Sequence, residues 1–273
     1  MTFHNKVAIV TGGASGIGHA LCKELAKRNA VVIVADIDSQ AATEVTSALV
    51  ATGGRVDVQT VDVTDPNAVR GLVDQVVKKY GKIDLVVNNA GVGIIGDMRD
   101  MRLEHWQQIM NVNLWGVIHG TTAAYEIMTK QGAGHIVNIA SAGGVIPLPM
   151  ATAYTTTKFG VVGLSTALRT EAAPLGIRVS VVCPGGVQTK IIETATLLKM
   201  DRQKLIPKIP SLALMDADRC AQLILRGIAR NKAIITVPRS AQLGVWLYRL
   251  CPGLLLPIIS RIGYQFRLFR DGV

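Results

Sequence analysis

The sequence predicts a doubly wound parallel α/β fold: one domain, about seven strands, and helices on both faces of the sheet. Three observations carry that reading. Short β-branched runs alternate with helix-length segments over most of the 273 residues. Several runs are apolar throughout, as strands buried on both faces must be. The first run, Val7-Ala8-Ile9-Val10, passes directly into the glycine-rich stretch Thr11-Gly12-Gly13-Ala14-Ser15-Gly16-Ile17-Gly18. Alternation of this kind builds a parallel sheet with right-handed crossovers.

Taken in order, strands are expected over 7–10, 31–35, 56–61, 85–87, 135–139, 178–182 and 234–237. Helices fill about 17–28, 39–52, 66–80, 101–129, 152–173 and 216–230. Asp65-Pro66 marks one helix start, a capping side chain ahead of a proline in the first turn. No repeat or linker interrupts the pattern before about residue 238. Residues 1–238 therefore read as one unit and 239–273 as an extension of it.

Hydrophobic residues make up 49% of the chain, enough for a large core. Cys22, Cys183, Cys220 and Cys251 each lie in apolar sequence with no close pair. That predicts small buried hydrophobes in a reducing compartment rather than disulfides. The five histidines are scattered without metal-ligand spacing, so no metal site is expected. Residues 1–6 run into the first strand without an apolar leader, which points to the cytoplasmic side. The formal charge of +10 is uneven: residues 199–273 hold 13 Lys/Arg and 4 Asp/Glu, leaving 16 and 15 for residues 1–198. The basic excess belongs to the C-terminal quarter, and a partner for it should be sought there. Nucleic acid is a poor match, because the basic residues are dispersed through hydrophobic sequence without a binding motif.

A strand-to-helix turn needs glycine where the backbone reverses tightly and where a Cβ would hold a phosphate away from the helix amides. Gly12, Gly16 and Gly18 meet that need, with Ser15 and Ile17 between them. A glycine-rich turn alone is weak evidence. This one follows a strand, precedes a helix and has Asp36 at the end of the second strand, which together describe a dinucleotide site. A carboxylate there can accept both adenosine ribose hydroxyls and repel a 2′-phosphate. No Lys or Arg stands in the turn or at positions 37 and 38, so NAD is the expected cofactor. Asp62 and Val63 follow the third strand and either border the adenine or form a solvated turn.

Tyr154 and Lys158 stand one helical turn apart and therefore face the same way; Ser141 precedes the tyrosine by 13 residues. A free phenol titrates near ~10, too high for a general base at neutral pH. A neighbouring ammonium favours the phenolate and lowers that value. Ser141, at the end of the fifth strand, can hold a reacting oxygen near the phenol. A nucleotide turn followed by a paired phenol and ammonium is equipment for moving hydride and proton together.

On these segments the chain resembles the short-chain dehydrogenase/reductases over about residues 5–238. The matching residues are 11–18, Asn88-Asn89-Ala90-Gly91, Asn113-Leu114-Trp115-Gly116, Ser141, Tyr154 with Lys158, and Pro184-Gly185 ahead of Thr189. The resemblance implies that Asn113 supports a water relaying protons to Lys158, and that Lys158 also binds the nicotinamide ribose. It implies that Asn89, Ala90 and Gly91 lie beside the adenosine ribose. Pro184, Gly185, Val187 and Thr189 would lie near the nicotinamide carboxamide. Asn111, two residues before Asn113, faces elsewhere on a helix. The implied activity is hydride transfer between an alcohol, or its carbonyl, and nicotinamide, in a homo-oligomer.

The chain departs from many reductases of that family at its last strand. Ala233-Ile234-Ile235-Thr236-Val237-Pro238 replaces a V-D-G-G ending, and 35 residues follow. An I-T-x-P ending with an apolar extension resembles members acting on lipophilic alcohols such as retinoids and steroids. An NADPH-dependent carbonyl or oxoacyl reductase is the alternative among enzymes; a nucleotide-binding sensor or scaffold without catalysis is the alternative outside them. In the extension, residues 243–262 are strongly apolar, yet Arg249, Pro252 and Pro257 argue against a spanning helix. On a helical wheel Leu254, Ile258, Ile259, Ile262, Phe266 and Phe269 share an arc that excludes Arg261, Arg267 and Arg270. With Trp246, Tyr248 and Tyr264 this suits an anionic membrane surface. The same face could instead cover the substrate cleft or a subunit interface. Residues 190–213 are expected either to form a substrate lid or to pack as an ordinary loop. Their apolar members Ile191, Ile192, Leu197, Leu198, Met200, Leu205 and Ile206, with Val145, Ile146, Leu148 and Met150, would make a greasy pocket for a lipophilic small molecule.

Overall fold

The computed structural model describes residues 2–189, 191–205, 214–268 and 270, the side chains of Ile192 and Leu205 excepted. The first half of the chain alternates β1 (Val7–Thr11), α1 (Gly16–Ala26), β2 (Val31–Asp36), α2 (Ser39–Ala51), β3 (Arg55–Thr60), α3 (Pro66–Tyr80) and β4 (Leu85–Asn88). A short β5 (Ile94–Gly96), α4 (Leu103–Met110), α5 (Gly116–Gln131), β6 (Gly134–Ile139) and α6 (Thr152–Ala172) come next. Then follow β7 (Ile177–Pro184), α7 (Ile191–Thr194), β8 (Thr196–Leu198), α8 (Arg202–Leu205), α9 (Ala217–Ala229), β9 (Ile234–Val237), α10 (Arg239–Leu250) and α11 (Pro252–Arg267).

Local chemistry explains where the helices begin. Asp38, Asp65 and Asp216 each accept a hydrogen bond from a first-turn amide of α2, α3 and α9, and Pro66 opens α3 where no amide partner is needed. Gly81 ends α3 in the left-handed conformation, φ +75°.

Seven parallel strands form one sheet in the order β3-β2-β1-β4-β6-β7-β9. The order reverses between β1 and β4, and a crevice opens there at the carboxyl ends of the strands. Alternate strand residues face opposite layers. Ala8, Val10, Val32, Val34 and Val87 pack against Leu21 and Leu25 of α1 and Ile224 of α9. Val7, Ile9, Ile33 and Val86 pack against Leu72 and Val76 of α3 and Met128 of α5. Burial of each large aliphatic contributes about 1.5–3 kcal/mol.

Three features differ from the expectations or add to them. The helix foreseen over 101–129 is interrupted: between α4 and α5 the backbone widens to a π-turn at Asn111–Trp115. Such an inserted residue re-aims side chains, and here it turns Asn113 inward. Second, a small parallel pair, β5 with β8, lies outside the main sheet and ties the segment after α7 to the loop after β4. Third, Cys22, Cys183 and Cys220 are buried but Cys251 is exposed, because it sits on the elbow between α10 and α11.

No helix among the described residues is long and apolar enough to cross a membrane. Residues 206–213 and Phe269, part of the lid and wheel expectations, lie outside the described residues.

Candidate active site

Most of the functional segments stand at the carboxyl ends of strands, while Tyr154, Lys158 and Asn113 come from helical turns. β1 delivers the glycine turn, β2 Asp36, β4 the 88–91 segment, β6 Ser141, and β7 the 184–189 segment. Gly12 and Gly16 have φ of +62° and +52°, the left-handed region that disfavours other residues. A Cβ on Gly18 would sit 2.0 Å from the Gly12 carbonyl oxygen, so only glycine lets α1 close onto the turn. Ser15 occupies the N-cap of α1 with its side chain free of a capping bond, and Ile17 packs partly buried into the core.

Thr11 does work that its place in the motif did not reveal. Its Oγ1 accepts the amides of Asn89 (3.0 Å) and Ala90 (3.2 Å), while Asn89 Nδ2 donates to the carbonyls of Thr11 and Gly12. These bonds lock the 89–91 segment onto the glycine turn across the point where strand order reverses. Beneath them Asn88, Thr121, Asn138 and Ser165 form a buried hydrogen-bonded chain between β4, α5, β6 and α6. No spacing in the sequence marks that chain.

Asp36 is held by two amides, Ala14 N–H on Oδ2 (3.0 Å) and Asp38 N–H on Oδ1 (3.1 Å). The carboxylate is thereby fixed at the mouth of the turn. Asp62 is exposed, and its Oδ1 accepts from both the amide and the hydroxyl of Thr64, which is the solvated-turn arrangement. Val63 is buried, and its carbonyl bonds His119 Nδ1 at 2.9 Å.

The four proposed catalytic residues meet. Tyr154 and Lys158 project from the first turns of α6, with the lysine Nζ 5.6 Å from the centre of the phenol ring. Ser141 Oγ accepts the Gly143 amide at 3.0 Å, and its side chain lies close enough to the Tyr154 phenol to lower its pKa. Lys158 Nζ donates to the Ile139 carbonyl at 3.0 Å. A Cβ on Gly91 would lie 3.3 Å from Asn113 Oδ1 and 3.6 Å from Lys158 Nζ, so Gly91, Asn113 and Lys158 form one cluster. Asn113 is fully buried, whereas Asn111 is exposed. The Asn113 side chain is committed to the backbone of Val92, accepting its amide (2.8 Å) and donating to its carbonyl (2.9 Å).

The electrostatics differ from the expectation. Burial pushes the Tyr154 phenol up, and the bond from Ser141 only partly offsets it. Burial also pulls Lys158 down to about 8. Burial is therefore the larger influence on the phenol. A low-dielectric pocket disfavours both charged forms, and the two groups sit close enough to exchange that disadvantage for mutual attraction only when both are ionised.

On the 184–189 side, Pro184 ends β7 buried, Val187 is buried and bridges Met215, and Thr189 faces Gly16 with its Cβ 3.3 Å from where a glycine Cβ would stand. A Cβ on Gly185 would come within 2.8 Å of Ala241 in α10, a contact that ties the extension to the site. A cavity of about 290 Å³ opens beside the turn, lined by Ser15, Gly16, His19, Gln188 and Thr189. Another hollow, of about 490 Å³ and bordered by Phe3, Arg28 and Arg226, lies at the amino-terminal ends of the strands, away from these groups.

The sequence pattern of the family described as short chain dehydrogenase matches residues 6–197. This chain is a short-chain dehydrogenase. Among its relatives, the 3-oxoacyl-[acyl-carrier-protein] reductase FabG of Thermotoga maritima is 36% identical over 225 residues, covering 82% of this chain and 91% of that protein. The D-beta-hydroxybutyrate dehydrogenase of Rhizobium meliloti is 32% identical over 247 residues, covering 89% of this chain and 91% of its own. A short-chain dehydrogenase/reductase from Burkholderia phymatum, solved in complex with NAD, matches with a TM-score of 0.85 at 28% identity, over 93% of this chain and 96% of that one. As a short-chain dehydrogenase the protein is an oxidoreductase that uses a nicotinamide cofactor. The site fits one: the glycine turn is closed where only glycine fits, and the N-terminus of α1 at Ser15 and Gly16 lines the adjoining cavity.

Proposed function

We propose that this short-chain dehydrogenase oxidises a lipophilic primary or secondary alcohol with NAD⁺, or runs the reverse reduction. The observation that carries the proposal is Asp36, tied to the glycine turn by the Ala14 amide and without an ion pair among the described residues. A carboxylate held there accepts ribose hydroxyls and repels a 2′-phosphate. The NAD complex of the Burkholderia phymatum protein supports the same preference. The substrate class rests on what surrounds the phenol: Ile94, Met101, Trp106, Met110 and Leu198 cluster with Tyr154, and Ile95, Met150, Leu197, Met200 and Phe266 adjoin them.

In this reading Tyr154 takes the hydroxyl proton of the alcohol as hydride leaves the carbinol carbon. Bound NAD⁺ supplies the hydride acceptor, the nicotinamide ring. Ser141 Oγ donates to the oxygen that becomes the carbonyl. Lys158, when charged, stabilises the phenolate from 5.6 Å off the ring centre and would hold the ribose hydroxyls. Because the side chain of Asn113 is committed to Val92, a relay water would be held by the main chain of this residue.

Two variants test the proposal in a panel of alcohols with NAD⁺ and NADP⁺. Tyr154→Phe should lower kcat by about 10²–10⁴ while NAD affinity stays within a few-fold; retained turnover refutes the assignment. Asp36→Ala should weaken NAD and admit NADP, and an unchanged cofactor ratio removes that role from Asp36. Similarity to the Thermotoga maritima reductase favours a second reading, reduction of 3-oxoacyl thioesters. Faster turnover of a 3-oxoacyl thioester with NADPH than of any alcohol with NAD⁺ would select it.

A further inference from the structure

The C-terminal arm is braced onto the body in a way that leaves one greasy, basic face outward. On α11 the half-buried positions Leu255, Ile259, Gly263 and Phe266 form an inner stripe. Gly263 packs on Pro149, where a Cβ would come within 2.7 Å of the ring. Arg267 bonds the nearly buried carboxylate of Asp97 at 2.8 Å, and Arg270 grips Asp100 with two bonds of 2.7 and 2.9 Å. The helix is therefore held in one rotational setting against the loops that rim the active site. The apolar arc foreseen for this helix is thus divided between an inner and an outer stripe.

The outer stripe runs from α10 through the elbow into α11: Leu243, Trp246, Leu250, Leu254, Ile258 and Ile262, with Leu254 70% and Trp246 63% exposed. Ten of the 18 exposed large hydrophobics among the described residues fall within 243–268. That concentration is a patch, not the ordinary scatter of single surface residues. From Arg239 to Arg270 there are five arginines and no acidic residue. Arg239, Arg249 and Arg261 are exposed, and no ion pair to them occurs among the described residues. The patch adjoins the rim of the site, since Leu148 is also exposed next to the Pro149 that seats Gly263.

We infer that the outer face of α10 and α11 docks on an anionic lipid surface. An in-plane amphipathic element with aromatic residues and arginines but no carboxylates is what a negatively charged headgroup layer attracts. A second copy of the chain is a poorer occupant, because a two-fold contact would set this all-basic surface against itself. Docking brings the rim formed by residues 145–150 to the lipid. If the substrate is a lipophilic alcohol, a point that rests on the function proposed above, it then reaches Tyr154 without crossing water.

The test is co-sedimentation of the full chain with vesicles of phosphatidylcholine alone and of phosphatidylcholine with phosphatidylglycerol, over a salt series. Binding should favour the anionic vesicles by on the order of a hundredfold, about a factor of five for each unpaired arginine, and should fall as salt rises. The triple substitution Leu250→Glu, Leu254→Glu and Ile258→Glu alters exposed positions only and should abolish sedimentation with an unchanged circular dichroism spectrum. Arg249→Gln with Arg261→Gln should remove the anionic preference. A wild-type chain that stays in the supernatant overturns the inference. So does a triple variant that still sediments, or a wild type that self-associates without vesicles and is dispersed by the triple variant. Alcohol oxidation with NAD⁺ is measured alongside: vesicle binding without it would sink the proposed activity and leave the surface standing.

Discussion

His135 should set the acid limit of this protein. Its imidazole is 1% exposed near the start of β6, with Nε2 2.8 Å from Ser180 Oγ and no partner for Nδ1 among the described residues. Ser180 Oγ already donates to the Lys232 carbonyl at 2.6 Å, so the Nε2–H of a neutral ring donates to Ser180. Burial, aided by Arg178 and Arg169, pulls the ring from 6.5 down to about 3. The folded state thus refuses a proton that the unfolded chain accepts below about 6.5. Stability is full above that pH and falls as the pH drops toward about 3, by about 1.4 kcal/mol per unit. At pH 5 the loss is about 2 kcal/mol, a large share of the ~5–15 kcal/mol typical of a domain. His135→Leu removes the titration together with one hydrogen bond, at a cost of about 1 kcal/mol at pH 7.5. Urea unfolding of both proteins between pH 7.5 and 5 should therefore give curves that cross, with the variant the more stable by about 1 kcal/mol at pH 5. Parallel curves would mean that the ring is already protonated in the fold, or reached by water.

Two further outcomes follow from the geometry. Gly18→Ala forces a methyl into the Gly12 carbonyl 2.0 Å away, and should cost about 1–3 kcal/mol in chemical denaturation and weaken cofactor binding by at least about tenfold. Arg270→Ala frees one end of the arm while Asp100 keeps Lys199, 3.2 Å away. Amide exchange in 252–268 should then rise by about tenfold with β4 and β6 unchanged, and equal protection would show that packing alone holds the arm.

The sheet and the chemistry were legible for the same reason: both follow local rules. Parallel strands announce themselves as apolar runs, the turn needs glycine at fixed offsets, and a phenol four residues before an ammonium shares its helix face. What escaped was set by tertiary contacts. The π-turn brings Asn113 onto Val92, and nothing within 111–115 signals that contact. The β5–β8 pair joins residues about a hundred positions apart. The direction of the Tyr154 shift depends on burial, which proximity to a lysine in sequence does not report. The wheel places Arg267 and Arg270 on its polar side, and the spacing does not show their acidic partners at 97 and 100.

The exposed elbow has a practical consequence for thiol chemistry. Cys183 and Cys220 are sealed in the core with their thiols pushed up to about 12, and Cys22 is pushed up further still, so none presents a reactive sulfur anion. Cys251 alone faces solvent, between the two helices of the arm. The unaltered protein thus carries its own attachment point for a fluorophore or spin label, placed where any tilting of α11 against α10 would alter the signal.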